Sequence, residues 1–209
     1  EHTYQTRLEY IVNKISSNYN YDKRSTVLVT SLVDNKLEAL TVIENFSNQL
    51  FKSKKLILIS EEKLPIESSE DVNIILVNDL EQHFFEEFSS NYQNICYFHH
   101  KFKYGSHYLT DVINGSKFSN GLPVSKLYNE INSEVIHIPF TKAKEVSAPS
   151  TLFPIKSIMN KPVIPNLRRW RALEKTDMDV ILLDSYEFGI DGESFTELGS
   201  EIKTGNDYN

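Results

Sequence analysis

The sequence has a single cysteine, Cys96, among its 209 residues. One thiol cannot form an internal disulfide, so the chain suits a reducing compartment. Cys96 lies inside an apolar run, which favours a packing role over a nucleophilic one. No apolar stretch approaches the roughly 20 residues that a membrane-spanning helix needs, and the start has no basic-then-apolar signal region. We therefore expect a cytoplasmic protein that reaches a membrane only through a partner or a parent protein.

Basic residues are also in short supply. The chain has 22 Lys and Arg against 29 Asp and Glu, a formal net charge of -7. Neutralising a phosphate backbone needs a basic face, so the sequence predicts no nucleic-acid partner. The dense basic run Arg168-Arg169-Trp170-Arg171 has two interpretations, a solvated helix face or a contact with an anionic ligand such as a diphosphate. A glycine-rich phosphate loop is absent as well.

What the sequence does contain is a series of short Ile, Leu and Val runs separated by helix-sized segments. Such runs are typical of parallel strands that are buried on both faces of a sheet. The sequence predicts an α/β fold with a mostly parallel central sheet flanked by helices. The predicted strands cover residues 26–30, 55–60, 72–77, 95–98, 135–139 and 179–183. The predicted helices cover residues 4–15, 37–50, 80–92, 107–118 and 167–173, and residues 148–165 are predicted as loop.

These patterns divide the chain into three parts. Residues 1–25 are predicted as an amphipathic helix and a linker, and residues 26–188 as the α/β domain. Residues 189–209 are predicted as an acidic, flexible tail. Because residue 1 is Glu rather than Met, we expect a fragment of a longer protein whose other domains are partners of this one.

The most distinctive stretch follows the predicted strand at residues 95–98. His99-His100-Lys101 comes directly after the apolar run, and Gly105 allows a tight turn before the next helix. Ligands of open α/β sheets bind beyond the carboxyl ends of the strands, so this stretch is the place to search for chemistry. On an extended strand the two histidine side chains would point to opposite faces.

This stretch also carries a resemblance. The run from Tyr104 to Asp111, Tyr-Gly-Ser-His-Tyr-Leu-Thr-Asp, and the later Lys117-Phe-Ser-Asn120 resemble bacterial family 2 glycosyltransferases. In that family a run of aspartates precedes an aromatic-Gly-x-x-Tyr-Leu-x-Asp helix start. The segment Asn45-Phe-Ser-Asn-Gln49 and the apolar run after it also resemble the family's first helix and second strand. Here His99-His100-Lys101 replaces the aspartates.

The resemblance implies a GT-A-like fold that transfers or binds a nucleotide-activated sugar in making a bacterial surface glycan or glycoconjugate. The first helix is similar to a His-Thr-Tyr-x-x-Arg helix in large surface-polysaccharide and spore-maturation-like proteins. The positions that the resemblance implies for nucleotide-sugar binding are Thr30, Ser31, Asp34, His99, His100, Lys101, Tyr104, Arg168 and Arg169. The family's Thr-x-Arg-Pro loop is absent, and residues 165–170, where its catalytic base is expected, contain no carboxylate.

Three mechanisms stay open at this point. In the first, His99 or His100 binds a divalent metal such as Mn or Zn in place of the aspartates. In the second, no metal is used, and Lys101, Lys103, Arg168 and Arg169 neutralise the diphosphate. The base would then be one of three carboxylates, Asp111, Asp184 or Glu187. In the third, the fold is kept without catalysis, and the module serves as an interaction or accessory domain. The sequence itself supports no cofactor, including Mn or Mg.

Overall fold

A computed structural model of the chain describes residues 25–80, 84, 88, 90–126, 141–183 and 188–190. The strands are β1 (Val27–Leu32), β2 (Lys54–Ser60), β3 (Val72–Leu76), β4 (Asn94–Tyr97), β5 (Phe102–Tyr104), β6 (Val124–Ser125), β7 (Lys142–Ser147), β8 (Thr151–Pro154), β9 (Lys175–Leu182) and β10 (Phe188–Ile190). The α-helices are α1 (Lys36–Ser47), α2 (Tyr108–Ser116) and α3 (Val163–Arg171).

Eight of these strands form one sheet in the order β3-β2-β1-β4-β8-β6-β9-β7. The first four pair in parallel, so their carboxyl ends share one edge of the sheet. The other parallel pair is β6 with β9, whereas β4 with β8, β6 with β8 and β7 with β9 are antiparallel. Strands β5 and β10 form a separate antiparallel pair. The predicted α/β fold with a mostly parallel central sheet is confirmed.

Each face of the sheet supports its own hydrophobic core because successive side chains of a strand point to opposite faces. Val27 and Val29 of β1 pack with helices α1 and α2, in a core that includes Phe46 and Val112. The opposite core contains Leu28 and Leu32 of β1 and the buried face of α3, with Leu167 and Trp170. The sheet therefore holds α3 on one side and α1 and α2 on the other.

The structure differs in detail from three of the predicted segments, the helix at 37–50, the loop at 148–165 and the helix at 167–173. The helix predicted over 37–50 ends at Ser47, and its buried face consists of Ala39, Val42, Asn45 and Phe46, whereas Leu40 and Leu50 are exposed. Strand β8 lies between β4 and β6, inside the passage predicted as loop. Its proline, Pro154, is the last residue of the strand, where an N–H is not needed within the ladder.

Helix α3 begins at Val163, directly after its N-cap Pro162, and so starts earlier than the predicted residue 167. Proline tolerates a helix start because the first N–H groups have no partner within the helix. The turn after α2 contains Asn120 and Gly121 at φ 52° and 81°. The predictions for residues 1–24, 135–139 and 191–209, and most of the helix predicted at 80–92, lie outside the described residues. No helix in the described part is long and apolar enough to cross a membrane.

Candidate functional site

The parallel pairing of β1 with β4 brings two loops together at the carboxyl edge of the sheet. The loop after β1 leads into α1, whose N-cap is Asn35. The Asn35 Oδ1 accepts a hydrogen bond from the Glu38 N–H at 3.0 Å, and Glu38 Oε2 accepts one from the Asp34 N–H at 3.0 Å. This reciprocal capping resembles a capping box and holds the Glu38 carboxylate at the edge.

Arg171, at the end of α3, covers this edge from the other side. Its Nη1 donates to the Leu32 carbonyl at 2.7 Å and to Glu38 Oε2 at 2.8 Å. Its Nη2 donates to Glu38 Oε1 at 3.1 Å and to Asp34 Oδ2 at 2.5 Å. The guanidinium therefore binds the Glu38 carboxylate through two nitrogens and ties α3 to the loop after β1. We call Arg171, Asp34 and Glu38 the edge cluster.

Sequence reasoning selected Arg168 and Arg169 from the basic run and overlooked Arg171. A signal was available, because Arg171 lies four residues after the buried Leu167 and next to the buried Trp170 on the helix. That spacing places it at the margin of the apolar face. The Arg171 side chain is accordingly only 20% exposed, whereas that of Arg168 is 60% exposed.

The edge cluster changes the acidity of Glu38. Partial burial by itself raises the pKa of this carboxyl. Hydrogen bonds from Arg171 and from the Asp34 N–H, together with the positive charges of His100 and Arg171, outweigh burial and lower the pKa to about 2. Glu38 is therefore ionised at neutral pH and acts as the counterion of Arg171.

His99 and His100 lie at the same edge, in the turn after β4. The Phe102 N–H donates to the His99 carbonyl at 3.1 Å, so the chain turns here instead of staying extended. The two imidazole rings consequently stack, with centroids 4.4 Å apart, and the opposite directions expected on an extended strand do not apply to this turn. His100 Nδ1 lies 3.6 Å from Glu38 Oε2.

Both ring nitrogens of His99 take part in hydrogen bonds. Nδ1 accepts from the Lys101 N–H at 3.1 Å, and Nε2 lies 3.1 Å from the Arg171 carbonyl. A carbonyl only accepts, so Nε2 carries the proton. Burial, with the nearby charge of His100, lowers the pKa of His99 to about 4, even though the Arg171 carbonyl acts in the opposite direction. His99 is thus a neutral, internally bonded histidine.

Three further predicted ligand contacts, Thr30, Ser31 and Tyr104, are buried. Thr30 Oγ1 donates to the Cys96 carbonyl at 3.4 Å, whereas Ser31 Oγ has no hydrogen-bond partner within the described part of the chain. The Tyr104 hydroxyl accepts from the His99 N–H at 2.9 Å, so it supports the turn. Their contact with a ligand stays a prediction.

The predicted catalytic carboxylate that the structure describes, Asp111, lies away from the edge cluster. Asp111 is on α2, and its Oδ2 accepts a hydrogen bond from Lys126 Nζ at 2.9 Å. The Lys126 side chain is fully buried, so Asp111 serves as its counterion. Asp184 and Glu187 lie outside the described residues.

Arg168 and Arg169 lie on the outer side of α3. Arg168 Nη2 donates to Glu61 Oε1 at 2.8 Å, just beyond β2, and Arg169 Nε donates to Glu174 Oε2 at 3.0 Å. All four side chains are more than half exposed, which is the solvated-face arrangement. Within the described ranges, no group of three or more His, Cys, Asp or Glu side chains is arranged to hold a metal ion.

A cleft of about 400 Å³ lies beside this edge, between α1 and the segment that follows His99. We call it the α1 cleft. It is lined by Thr41, Glu44, Asn45, Asn48, His100, Lys101, Phe102, Lys103, Tyr104, Gly105 and Ser106. Of the predicted nucleotide-sugar contacts, the α1 cleft brings together His100, Lys101 and Tyr104. It leaves out Thr30, Ser31, Asp34, His99, Arg168 and Arg169.

Comparison with known proteins gives a match only at the level of structure. No protein-family model matches the chain, and no curated protein matches it in sequence. Solved structures that match include S. aureus TarS 1-349, at 6% identity and a TM-score of 0.46, covering 76% of this chain and 60% of that one. The same protein in complex with UDP-GlcNAc matches at 7% identity and a TM-score of 0.47, covering 76% of this chain and 58% of that one. The chain thus spans about three fifths of the length of these TarS structures.

Proposed function

We propose that this chain is a glycosyltransferase-like domain that binds a nucleotide-activated sugar in the synthesis of a bacterial surface glycan. The observation that carries the proposal is the parallel pairing of β3, β2, β1 and β4, which collects their carboxyl ends at one edge. Nucleotides bind at such edges in open α/β folds. The resemblance of residues 104–111 to family 2 glycosyltransferases points to an activated sugar as the ligand.

The proposed binding does not use a divalent metal held by this edge. Metal ligands need free lone pairs, but both nitrogens of His99 are occupied by the backbone. The carboxylates of Asp34 and Glu38 are bound by Arg171. Lysine side chains near the edge, Lys101 and Lys103, supply the positive charge that a diphosphate requires.

Sugar transfer would require a base that deprotonates the acceptor hydroxyl. Asp111 is bound to Lys126, which favours its role as a structural counterion. Asp184 and Glu187 remain the proposed base candidates. We further propose that residues 26–188 form this domain within a larger cytoplasmic protein.

The test is binding of UDP-, GDP- and ADP-sugars to the full chain, measured by saturation-transfer NMR and by thermal shift. We expect one nucleotide class to bind, with the same affinity in Mn²⁺ and in EDTA. The matched control is the free sugar without its nucleotide, which should bind far more weakly. Failure of every nucleotide sugar to bind would overturn the proposal.

A second function, that of a noncatalytic accessory domain, is favoured by the edge cluster. The Arg171 side chain lies beyond β1, where a ligand would contact the loop, and it binds the Leu32 carbonyl and Glu38 there. If nucleotide sugars do not bind to the chain, pull-down with the remaining domains of its parent protein tests this alternative. An accessory domain should bind those domains directly.

A further inference from the structure

The α1 cleft has the size of a small-molecule site. Its volume of about 400 Å³ lies within the range of roughly 300 to 1,000 Å³ that is usual for such sites. One wall is helix α1, and the other is the segment that runs from His100 through β5 to Ser106. The cleft therefore adjoins the carboxyl edge at His100 and extends away from it along the helix.

Buried amide side chains hold the two walls together. Asn45 of α1 donates through Nδ2 to the Phe102 carbonyl at 3.1 Å and accepts at Oδ1 from the Tyr104 N–H at 3.2 Å. Gln49, just after the helix, donates through Nε2 to the Gly105 carbonyl at 2.7 Å. Because these bonds join the two walls within the chain itself, they fix the spacing between α1 and the segment from Phe102 to Gly105.

The charged side chains of the cleft are mainly positive. Lys101 and Lys103 are exposed and alternate with the buried Phe102 and Tyr104, so both lysines project to the same side of the segment. Glu44 is the one carboxylate among the lining residues. Burial lowers the pKa of His100, although the charge of Glu38 acts in the opposite direction. Lys101 and Lys103 are the lysines among the lining residues.

Neutral hydrogen-bonding groups complete the lining. Thr41, Asn48 and Ser106 add hydroxyl and amide groups to the lining. In a chain whose net charge is -7, a cleft with two lysines is a local positive region that attracts small anions. Lysine binds phosphate as a point charge, and each charge-assisted bond adds substantial affinity.

We propose that the α1 cleft is a binding site for the phosphate groups of a small anionic ligand, with Lys101 and Lys103 as the binding side chains. This inference rests on the proposed function in naming the diphosphate of a nucleotide-activated sugar as the bound group. It places the diphosphate along α1 and not over the edge cluster, where Asp34 and Glu38 are already paired with Arg171.

The experiment is calorimetric titration of the full chain with UDP, with pyrophosphate and with uridine. The cleft variant is Lys101→Ala/Lys103→Ala. The matched control, Lys63→Ala/Lys156→Ala, removes two exposed lysines that are not part of the cleft lining, so its net charge changes equally. We expect UDP and pyrophosphate to bind at least about tenfold more weakly to the cleft variant and within about twofold of wild type to the control.

A second variant, Asn48→Asp, adds a negative charge at the exposed rim and should weaken UDP binding several-fold. Uridine has no phosphate, so its binding should be the same in all variants. Equal weakening of UDP binding in the cleft and control variants would overturn the site, because it would show that binding depends only on the total charge of the chain. A uridine affinity that falls together with that of UDP would also contradict it.

The two proposals fail separately. If nucleotide sugars and UDP bind wild type but bind the cleft variant equally well, the α1 cleft is wrong and the proposed function stands. If no nucleotide sugar binds but pyrophosphate binding is lost in the cleft variant, the anion site stands and the proposed function fails. A wild-type chain that binds neither UDP nor pyrophosphate overturns the cleft site.

Discussion

The Glu38 side chain contacts three parts of the chain at the carboxyl edge of the sheet. It caps the start of α1 through the Asp34 N–H, binds Arg171 through both oxygens and lies near His100. Because it is only 16% exposed, these contacts are screened less by water than an ordinary surface ion pair is. Its ionised state therefore contributes to the attachment of α3 to the loop after β1.

This contribution predicts a loss of stability in acid. The pKa of Glu38 is lowered from 4.5 to about 2 in the folded chain, so its stabilisation is present above the unfolded value. It is lost as the pH falls from about 4.5 toward 2, by an amount on the order of 1 to 2 kcal/mol after solvent screening. Urea unfolding of wild type and Glu38→Gln across this range measures it.

The variant should lose less stability than wild type as the pH falls over this window. The exposed Glu67 provides the control, since Glu67→Gln should keep the acid dependence of wild type. Parallel curves for wild type and Glu38→Gln would contradict the pKa assignment.

His99 predicts an outcome for metal binding. Because both of its ring nitrogens are hydrogen-bonded to the backbone, removing the imidazole should not change the heat of a Zn²⁺ or Mn²⁺ titration. It should lower the free energy of unfolding by about 1 to 3 kcal/mol, since the Arg171 carbonyl and the Lys101 N–H lose their partner. Calorimetry and urea unfolding of His99→Leu measure both quantities. A metal signal that disappears in this variant would restore the histidine-ligand hypothesis.

At the scale of elements, Gln49 joins three pieces of the chain. It follows α1, donates to the Gly105 carbonyl before α2, and accepts from the Leu109 N–H at 3.0 Å within the first turn of α2. Its carboxamide hydrogen-bonds buried backbone groups of these pieces, among them the Leu109 N–H. The register between α1, β5 and α2 therefore depends on this side chain.

Replacing Gln49 by alanine should lower the free energy of unfolding by about 2 to 4 kcal/mol, because several buried backbone groups lose a hydrogen bond. The neighbouring Asn48 is exposed, so Asn48→Ala is the matched control and should change stability by less than about 1 kcal/mol. Chemical denaturation measures both. Equal losses in the two variants would show that Gln49 is not the link between these elements.

At the scale of the whole molecule, one sheet supports both hydrophobic cores. Strand β1 contributes to each of them, with Val27 and Val29 on one face and Leu28 and Leu32 on the other. Disruption of β1 would therefore remove packed side chains from both cores at once. We therefore expect the two sides of the sheet to unfold together.

The sequence contains a single tryptophan, Trp170. Its fluorescence reports on the face of the sheet that α3 covers. Its ring stacks on Phe153 at 5.3 Å and lies 5.7 Å from Tyr97, in the α3 core. The unfolding transition seen by Trp170 fluorescence should coincide with that of backbone circular dichroism. A fluorescence midpoint clearly below the backbone midpoint would show that the α3 side unfolds separately.

Local pattern predicted the parallel half of the sheet and little of the rest. The runs at 26–30, 55–60, 72–77 and 95–98 correspond to β1 to β4 within two residues at each end. Their apolar composition is needed wherever a strand is covered on both faces. Strands β6 and β8 have two and four residues and are polar in part, so no periodicity marks them.

The candidate site was likewise predictable from the sequence only in part. The sequence by itself determined the α/β fold and the polar turn after β4, because burial on both faces and an abrupt change of polarity are local properties. Only the tertiary structure decided which side chains meet at that turn. Asp34 and Arg171 are 137 residues apart in the chain, and their contact depends on how α3 packs on the sheet. The same packing pairs Glu38 with Arg171 at the edge of the sheet. Lys101 and Lys103 line the adjoining cleft.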